Sequence, residues 1–224
     1  SPGQNEWVKE ICDEIIKRNL GLKFLAQGRC SQFITLEILK KMKEAGFAWI
    51  WWGVESGSQR LLDEVIHKDI TIENVYRSFA LTKEAGLKST MFVLVGFPGE
   101  TPADVKLTFN LIKKIKPNIV WIKIATPYPG TELRRYLESH NLLDNKLDKL
   151  SDYYKLETDR YVNHHTEEMT AEEIKKYYRF LVFQCGPNRY GYYIKFGLKS
   201  LTTAAGRAKL FKRTEILIEH LSNW

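Results

Sequence analysis

The sequence predicts an α/β fold of about four parallel strands followed by a mostly helical extension. Three apolar runs, 48–52, 91–95 and 119–125, the last broken only by Lys123, each open into a loop of small and turn-forming residues. Runs without polar alternation suit strands of a parallel sheet covered on both faces. The helix ending Lys43-Glu-Ala-Gly46 recurs as Lys83-Glu-Ala-Gly86, each time ahead of an apolar strand, as successive βα units require. After Leu143 the alternation of strand and helix stops. This sets a boundary near residue 145, with the α/β part at 1–145 and a basic helical extension at 146–224.

The elements follow in order. Trp7, Ile11, Ile15 and Ile16 recur at helical spacing, so the chain opens with an amphipathic helix over 6–18, closed near Asn19 and Gly21. A strand over 22–27 runs into Gln27-Gly-Arg-Cys30. Thr35 caps a helix that reaches Gly46, and the Trp-rich strand over 48–54 comes next. Ser58 opens a short helix and Thr71 a longer one to Gly86, before the strand over 90–96. Thr101-Pro-Ala-Asp104 supplies a cap, a first-turn Pro and a first-turn acid for a helix that Pro117 ends. The strand over 119–125 follows, and Thr131 starts another helix. Further on, Thr170-Ala-Glu-Glu173 is a capping box for a helix ended by Gly186-Pro187, and 207–221 reads as a last amphipathic helix.

With 224 residues, 44% of them hydrophobic and 27% charged, the chain can bury one sizeable core as an ordinary globular protein. No apolar run approaches the roughly 18 residues of a membrane span, and the first residues are neither basic nor followed by a secretory apolar core, so the default address is the cytoplasm. Cys12, Cys30 and Cys185 are far apart, which argues against a disulfide framework and against closely spaced thiolate ligands; no metal site is expected. His164-His165 falls in an irregular segment and reads as solvated. The net charge of +7 is concentrated in residues 169–224, where ten Lys and Arg face four Glu. Such a tail can meet nucleic acid, an anionic membrane surface or an acidic partner, although a solvated helix face is the commoner explanation.

The C-terminal ends of parallel strands converge on one mouth, so the loops there are the place for chemistry. Three loops share that face: Gly53-Val-Glu-Ser-Gly-Ser58, Gly96-Phe-Pro-Gly-Glu-Thr101 and Thr126-Pro-Tyr-Pro-Gly130. Their small residues let a ligand lie against the main chain, and Glu55 can accept hydrogen bonds from hydroxyls or an ammonium group. The pattern describes a site for a flat, polar small molecule.

These loops, with Leu62-Asp63, Lys68, Ile70-Thr71, the Lys83-Glu-Ala-Gly86 helix end and Thr126-Pro-Tyr-Pro-Gly-Thr-Glu-Leu133, resemble the second half of the radical S-adenosylmethionine (SAM) core. The likeness is greatest to the cobalamin-dependent branch and spans about residues 6–143. It implies a partial parallel (β/α) TIM-like barrel, with SAM, a [4Fe–4S] cluster and, in that branch, cobalamin as cofactors. By the same resemblance Glu55 contacts the ribose or methionine part of SAM, with Gly53 and Ser56 beside it in the motif. Lys68 matches a basic position that pairs with the SAM carboxylate. Gly96, Pro98 and Gly99 match the turn under the adenine, Pro127 and Tyr128 the loop beside it, and Arg29 a basic or polar position near the cofactor. The family's C-x-x-x-C-x-x-C loop has no counterpart here, so the cluster ligands and any cobalamin domain are expected outside this chain, in the remainder of a longer parent enzyme.

Two functions from different classes follow. One is a piece of a radical SAM enzyme, a methyltransferase or another C–H functionalising enzyme of unknown small-molecule substrate, that contributes SAM- and substrate-contacting loops. The other is a non-catalytic barrel-derived module whose basic, Tyr-rich tail binds a partner, RNA or a membrane surface.

Overall fold

The computed structural model describes residues 2–144 and 162–186. Strands β1 (Phe24–Arg29), β2 (Phe47–Glu55), β3 (Lys88–Val95) and β4 (Ile119–Ile124) form one sheet in the order β1-β2-β3-β4, every pair parallel. Helix α1 (Pro2–Arg18) precedes the sheet, and α2 (Leu36–Glu44), α3 (Gln59–Glu64), α4 (Ile72–Glu84) and α5 (Pro102–Ile115) connect its strands. Helices α6 (Glu132–Ser139) and α7 (Ala171–Cys185) follow β4. This is the expected α/β architecture, a partial parallel (β/α) barrel. The first strand starts and ends two residues later than expected, so Gly28 and Arg29 belong to the strand and not to its loop. The expected helix over 207–221 lies outside the described residues.

Local chemistry accounts for the helix boundaries. Thr35, Ser58, Thr71 and Thr131 each accept a hydrogen bond from the backbone N–H three residues on. Thr101 with Asp104 and Thr170 with Glu173 form reciprocal capping boxes. Gly46 and Gly86 take the left-handed turns after α2 and α4, at φ +98° and +71°.

The expectation that the Trp-rich strand is covered on both faces is wrong for the described residues. Ile50, Trp52 and Val54 point toward the helices, with Met91, Val93 and Val95 of β3 and Val120, Ile122 and Ile124 of β4, and all belong to one core. The alternate residues of β2 point the other way: Trp51 packs against Phe92 at 5.4 Å between ring centroids, and Phe92 stacks on Trp121 at 6.5 Å. That face is only partly covered, and Trp121 is 41% exposed. Apolar residues thus serve two surfaces, a buried one under the helices and an aromatic row across the open concave face. Helix α7 shares the helix-covered core through Ile174, Tyr178 and Leu181, against β4, β3 and α5. Among the described residues β1 has a strand partner on one side only, with Leu25 exposed.

Candidate ligand-binding site

At the C-terminal end of β2 the register slips between Gly53 and Glu55, so the strand advances two residues while β3 advances one. A bulge of this kind re-aims a side chain, and Glu55 takes φ +70°, rare outside glycine. Its carboxylate forms a short ion pair with Lys68. Lys68 sits between His67 and Asp69, both also left-handed, at φ +49° and +51°. Three strained non-glycine residues around one ion pair signal a constraint that local stability does not explain. The loop is held from behind by Gln59, whose side-chain amide donates to Ile70 O at 3.0 Å and accepts from Ile72 N at 2.9 Å. The pair lies directly over Gly53, where an added Cβ would stand 3.1 Å from both Glu55 Oε1 and Lys68 Nζ.

This ion pair forms one wall of a cavity of about 800 Å³ at the mouth of the concave face. Gln27, Gly28 and Arg29 of β1, Trp51, Gly53 and Glu55 of β2, and Phe92 and Leu94 of β3 line it, with Ile66, His67, Phe97 and Lys123. Aromatic rings make its floor, and polar groups its rim. Arg29 stands 3.8 Å from the fully exposed Asp69 at the edge.

Of the residues singled out from sequence, Arg29, Gly53, Glu55 and Lys68 come together in this cavity. Ser56 does not line it; it is buried, and its hydroxyl accepts from Ser58 N at 3.1 Å. Gly96 and Pro98 are buried and Gly99 is half-buried, so from their turn only Phe97 reaches the mouth. Pro127 is buried and Tyr128 exposed, neither against the cavity. Gly57 belongs to the same motif for a packing reason, since an added Cβ would fall 2.5 Å from Thr108 Cα of α5. Sequence reasoning missed Gln27, Trp51, Phe92, Phe97 and Lys123. Alternation along β1 to β4 could have found those in the strands, because they fall on the face opposite the core.

Behind the mouth, Asp104 ties the β2 and β3 loops together. Oδ1 accepts from Ser58 Oγ at 2.6 Å, and Oδ2 from Arg60 Nη2 at 2.6 Å, Thr101 Oγ1 at 2.7 Å and Thr101 N at 2.9 Å. Burial alone pushes this carboxyl up, but the donors from Ser58, Thr101 and Arg60 outweigh it and hold the group below the usual range. Next to it Glu100 is fully buried and burial pushes it up to about 8, against the pull of the Gly96 and Phe97 N–H groups. His164 is also fully buried, which corrects the solvated reading. Burial pushes its imidazole down, and Nε2 bonds Gly96 O at 2.8 Å.

A partial (β/α) barrel with a polar mouth at its strand ends is an architecture suited to holding a small ligand at those ends. The model of the Radical SAM superfamily matches residues 2–112, and the chain belongs to that superfamily, whose members are enzymes that use SAM and a [4Fe–4S] cluster. An uncharacterized methyltransferase of Pyrococcus horikoshii is 35% identical over 60% of this chain and 29% of its own. A putative methylthiotransferase of Methanocaldococcus jannaschii is 29% identical over 67% of this chain and 33% of its own. The chain thus spans a third or less of the length of these two curated relatives. Among solved structures, the radical SAM methyltransferase TsrM of Kitasatospora setae, with cobalamin and a [4Fe–4S] cluster bound, aligns at a TM-score of 0.47. That alignment has 22% identity and covers 54% of this chain and 24% of that one.

The described residues do not fit the cluster. Cys12 and Cys30 are fully buried, and burial pushes the Cys30 thiol up to about 12, the reverse of what a thiolate ligand needs. No three His, Cys, Asp or Glu side chains gather for a metal among the described residues, and no helix there is long and apolar enough to cross a membrane.

Proposed function

We propose that this chain supplies the SAM-contacting mouth of a longer radical SAM enzyme of the methyltransferase kind, with the cluster and any cobalamin held outside its described residues. The observation that carries the reading is the strained Glu55–Lys68 pair over Gly53. The methionine end of SAM bears an ammonium and a carboxylate. Inserted at the pair, it satisfies Glu55 and Lys68 together and leaves neither charge unpaired in a half-dry site. Gln27 and Arg29 offer further donors at the rim, and the Trp51–Phe92 floor offers a surface for a flat group. SAM supplies such chemistry with a 5′-deoxyadenosyl or a methyl group. Names of the matched relatives support group transfer, and the lack of a thiolate set among the described residues supports a division of labour within a longer chain.

The reading predicts that residues 1–224 alone start no radical chemistry. Anaerobic reconstitution with iron and sulfide, followed by electron paramagnetic resonance and an assay for 5′-deoxyadenosine, is expected to give neither a [4Fe–4S] signal nor product above a protein-free control. A stoichiometric cluster with SAM-dependent product from this chain would contradict it.

A further inference from the structure

The segment after residue 161 returns to the sheet and meets the turn after β3 from behind. Leu143 and His164 form an antiparallel bridge, Asp144 N donates to Asn163 O at 2.9 Å, and His165 N donates to Leu142 O at 3.0 Å. This seats His164 in the interior with Nε2 2.8 Å from Gly96 O, and a carbonyl partner requires that Nε2 carry the proton. Four residues further on, Glu168 Oε2 accepts from Gly99 N at 3.0 Å. From the inner side Glu100 Oε2 accepts from both Gly96 N and Phe97 N. Gly96 is therefore gripped at both its N–H and its C=O. Its left-handed backbone, at φ +94°, lies so close to this wall that an added Cβ would fall 2.9 Å from Ile174 Cγ2 and 3.4 Å from His164 Nε2.

We propose that residues 163–168 are the outer clamp of the mouth, in which His164 and Glu168 are positioning residues that hold the Gly96–Gly99 turn by its backbone. Neither side chain lines the cavity; Phe97, between the two held glycines, does. Gly96 and Gly99 are both left-handed and would have wide conformational freedom if released. Pinning them fixes Phe97 before a ligand arrives, so the ordering cost is not charged against binding. The clamp lies beyond residue 112, where the superfamily match ends. It rests on the SAM reading only for the identity of the ligand.

The test follows amide hydrogen exchange at Gly96, Phe97, Gly99 and Glu100 in the full chain, with thermal unfolding and SAM titration in parallel. His164→Ala is expected to speed exchange at these amides about tenfold, leave β2 and α4 unchanged, and weaken SAM binding by a similar factor. His164→Gln, which keeps an Nε2 donor, should restore most of both. Glu168→Ala, at an exposed position, should release Gly99 with an unchanged thermal midpoint, and decides the matter if His164→Ala does not fold. Unchanged exchange at these amides in folded variants, or an equal rise across the whole sheet, overturns the clamp. Local release in a protein whose wild type binds no SAM upholds the clamp and removes the SAM reading instead.

Discussion

Asp104→Ala is expected to destabilise the fold by about 3–5 kcal/mol, measured by denaturant unfolding. The carboxylate is buried and receives four hydrogen bonds from three residues, Ser58, Arg60 and Thr101. Truncation leaves the buried Ser58 hydroxyl and the Thr101 N–H without their acceptor, and the Arg60 guanidinium without its nearest anion. Asp104→Asn is no rescue, since an amide turns one of the two accepting oxygens into a donor that faces donors. The effect reaches function because Ser58 begins α3 directly after the Glu55 loop, while Thr101 begins α5 directly after the turn that carries Phe97. Arg60 adds a bond to Gly99 O at 2.7 Å. The stability that Asp104 confers is present above about pH 3.9 and is lost as pH falls through its lowered folded value. A loss below about 1 kcal/mol in Asp104→Ala would show that the hub is dispensable.

Glu100→Gln is expected to abolish a fall in stability with rising pH that the unaltered protein should show. The folded state holds the Glu100 proton up to about pH 8, whereas the unfolded chain releases it near 4.3. Across that interval the folded state binds more protons, so stability is greatest at the acid end and declines toward pH 8, by a total on the order of 4–5 kcal/mol. His164 acts in the opposite sense at lower pH. Its folded value is depressed, so it withdraws stability as pH falls below about 6.5. The interval from about 6.5 to 8 therefore isolates Glu100 from His164 and Asp104. In Gln the carboxamide oxygen still accepts from Gly96 and Phe97 N–H, while no charge develops around the buried Oε1, which has no hydrogen-bond partner among the described residues. Unfolding curves collected between pH 6.5 and 8.5 should slope for the unaltered protein and lie flat for Glu100→Gln. Parallel slopes would place the Glu100 pKa in the ordinary range.

Much of the fold was legible because its determinants are local. Each helix start from α2 onward carries a Ser or Thr whose oxygen meets the N–H three residues later, and the strands lie within about two residues of where the apolar runs put them. The Glu55–Lys68 mouth was legible as well, because strand ends in a parallel sheet converge and both residues lie in one loop system. What escaped depends on contacts distant in sequence. Asp104 looked like a first-turn helix acid, yet its role comes from Ser58 and Arg60, more than forty positions away. His164 looked solvated because the residues around it lack periodicity; Gly96 O, 68 positions earlier, determines where it goes. Gly57 lies in a loop whose small residues suggest room for a ligand, yet the α5 backbone at Thr108 occupies the space beside it. Apolarity alone also failed to tell the buried face of β2 from its open one, since Trp52 and Trp51 are alike in sequence. Trp52 is buried with its indole N–H donating to Thr82 Oγ1 at 3.1 Å, whereas Trp51 lines the cavity.

The central claim is that the Glu55–Lys68 mouth receives SAM. Calorimetric titration of SAM into the protein at its full natural length, with Glu55→Ala in parallel, tests it most directly. Removing an acceptor fixed in place by the β2 bulge, and leaving Lys68 unpaired, is expected to weaken binding by about 1–3 kcal/mol, a factor of roughly 5 to 150. An unchanged dissociation constant in a Glu55→Ala protein that still folds would contradict the account.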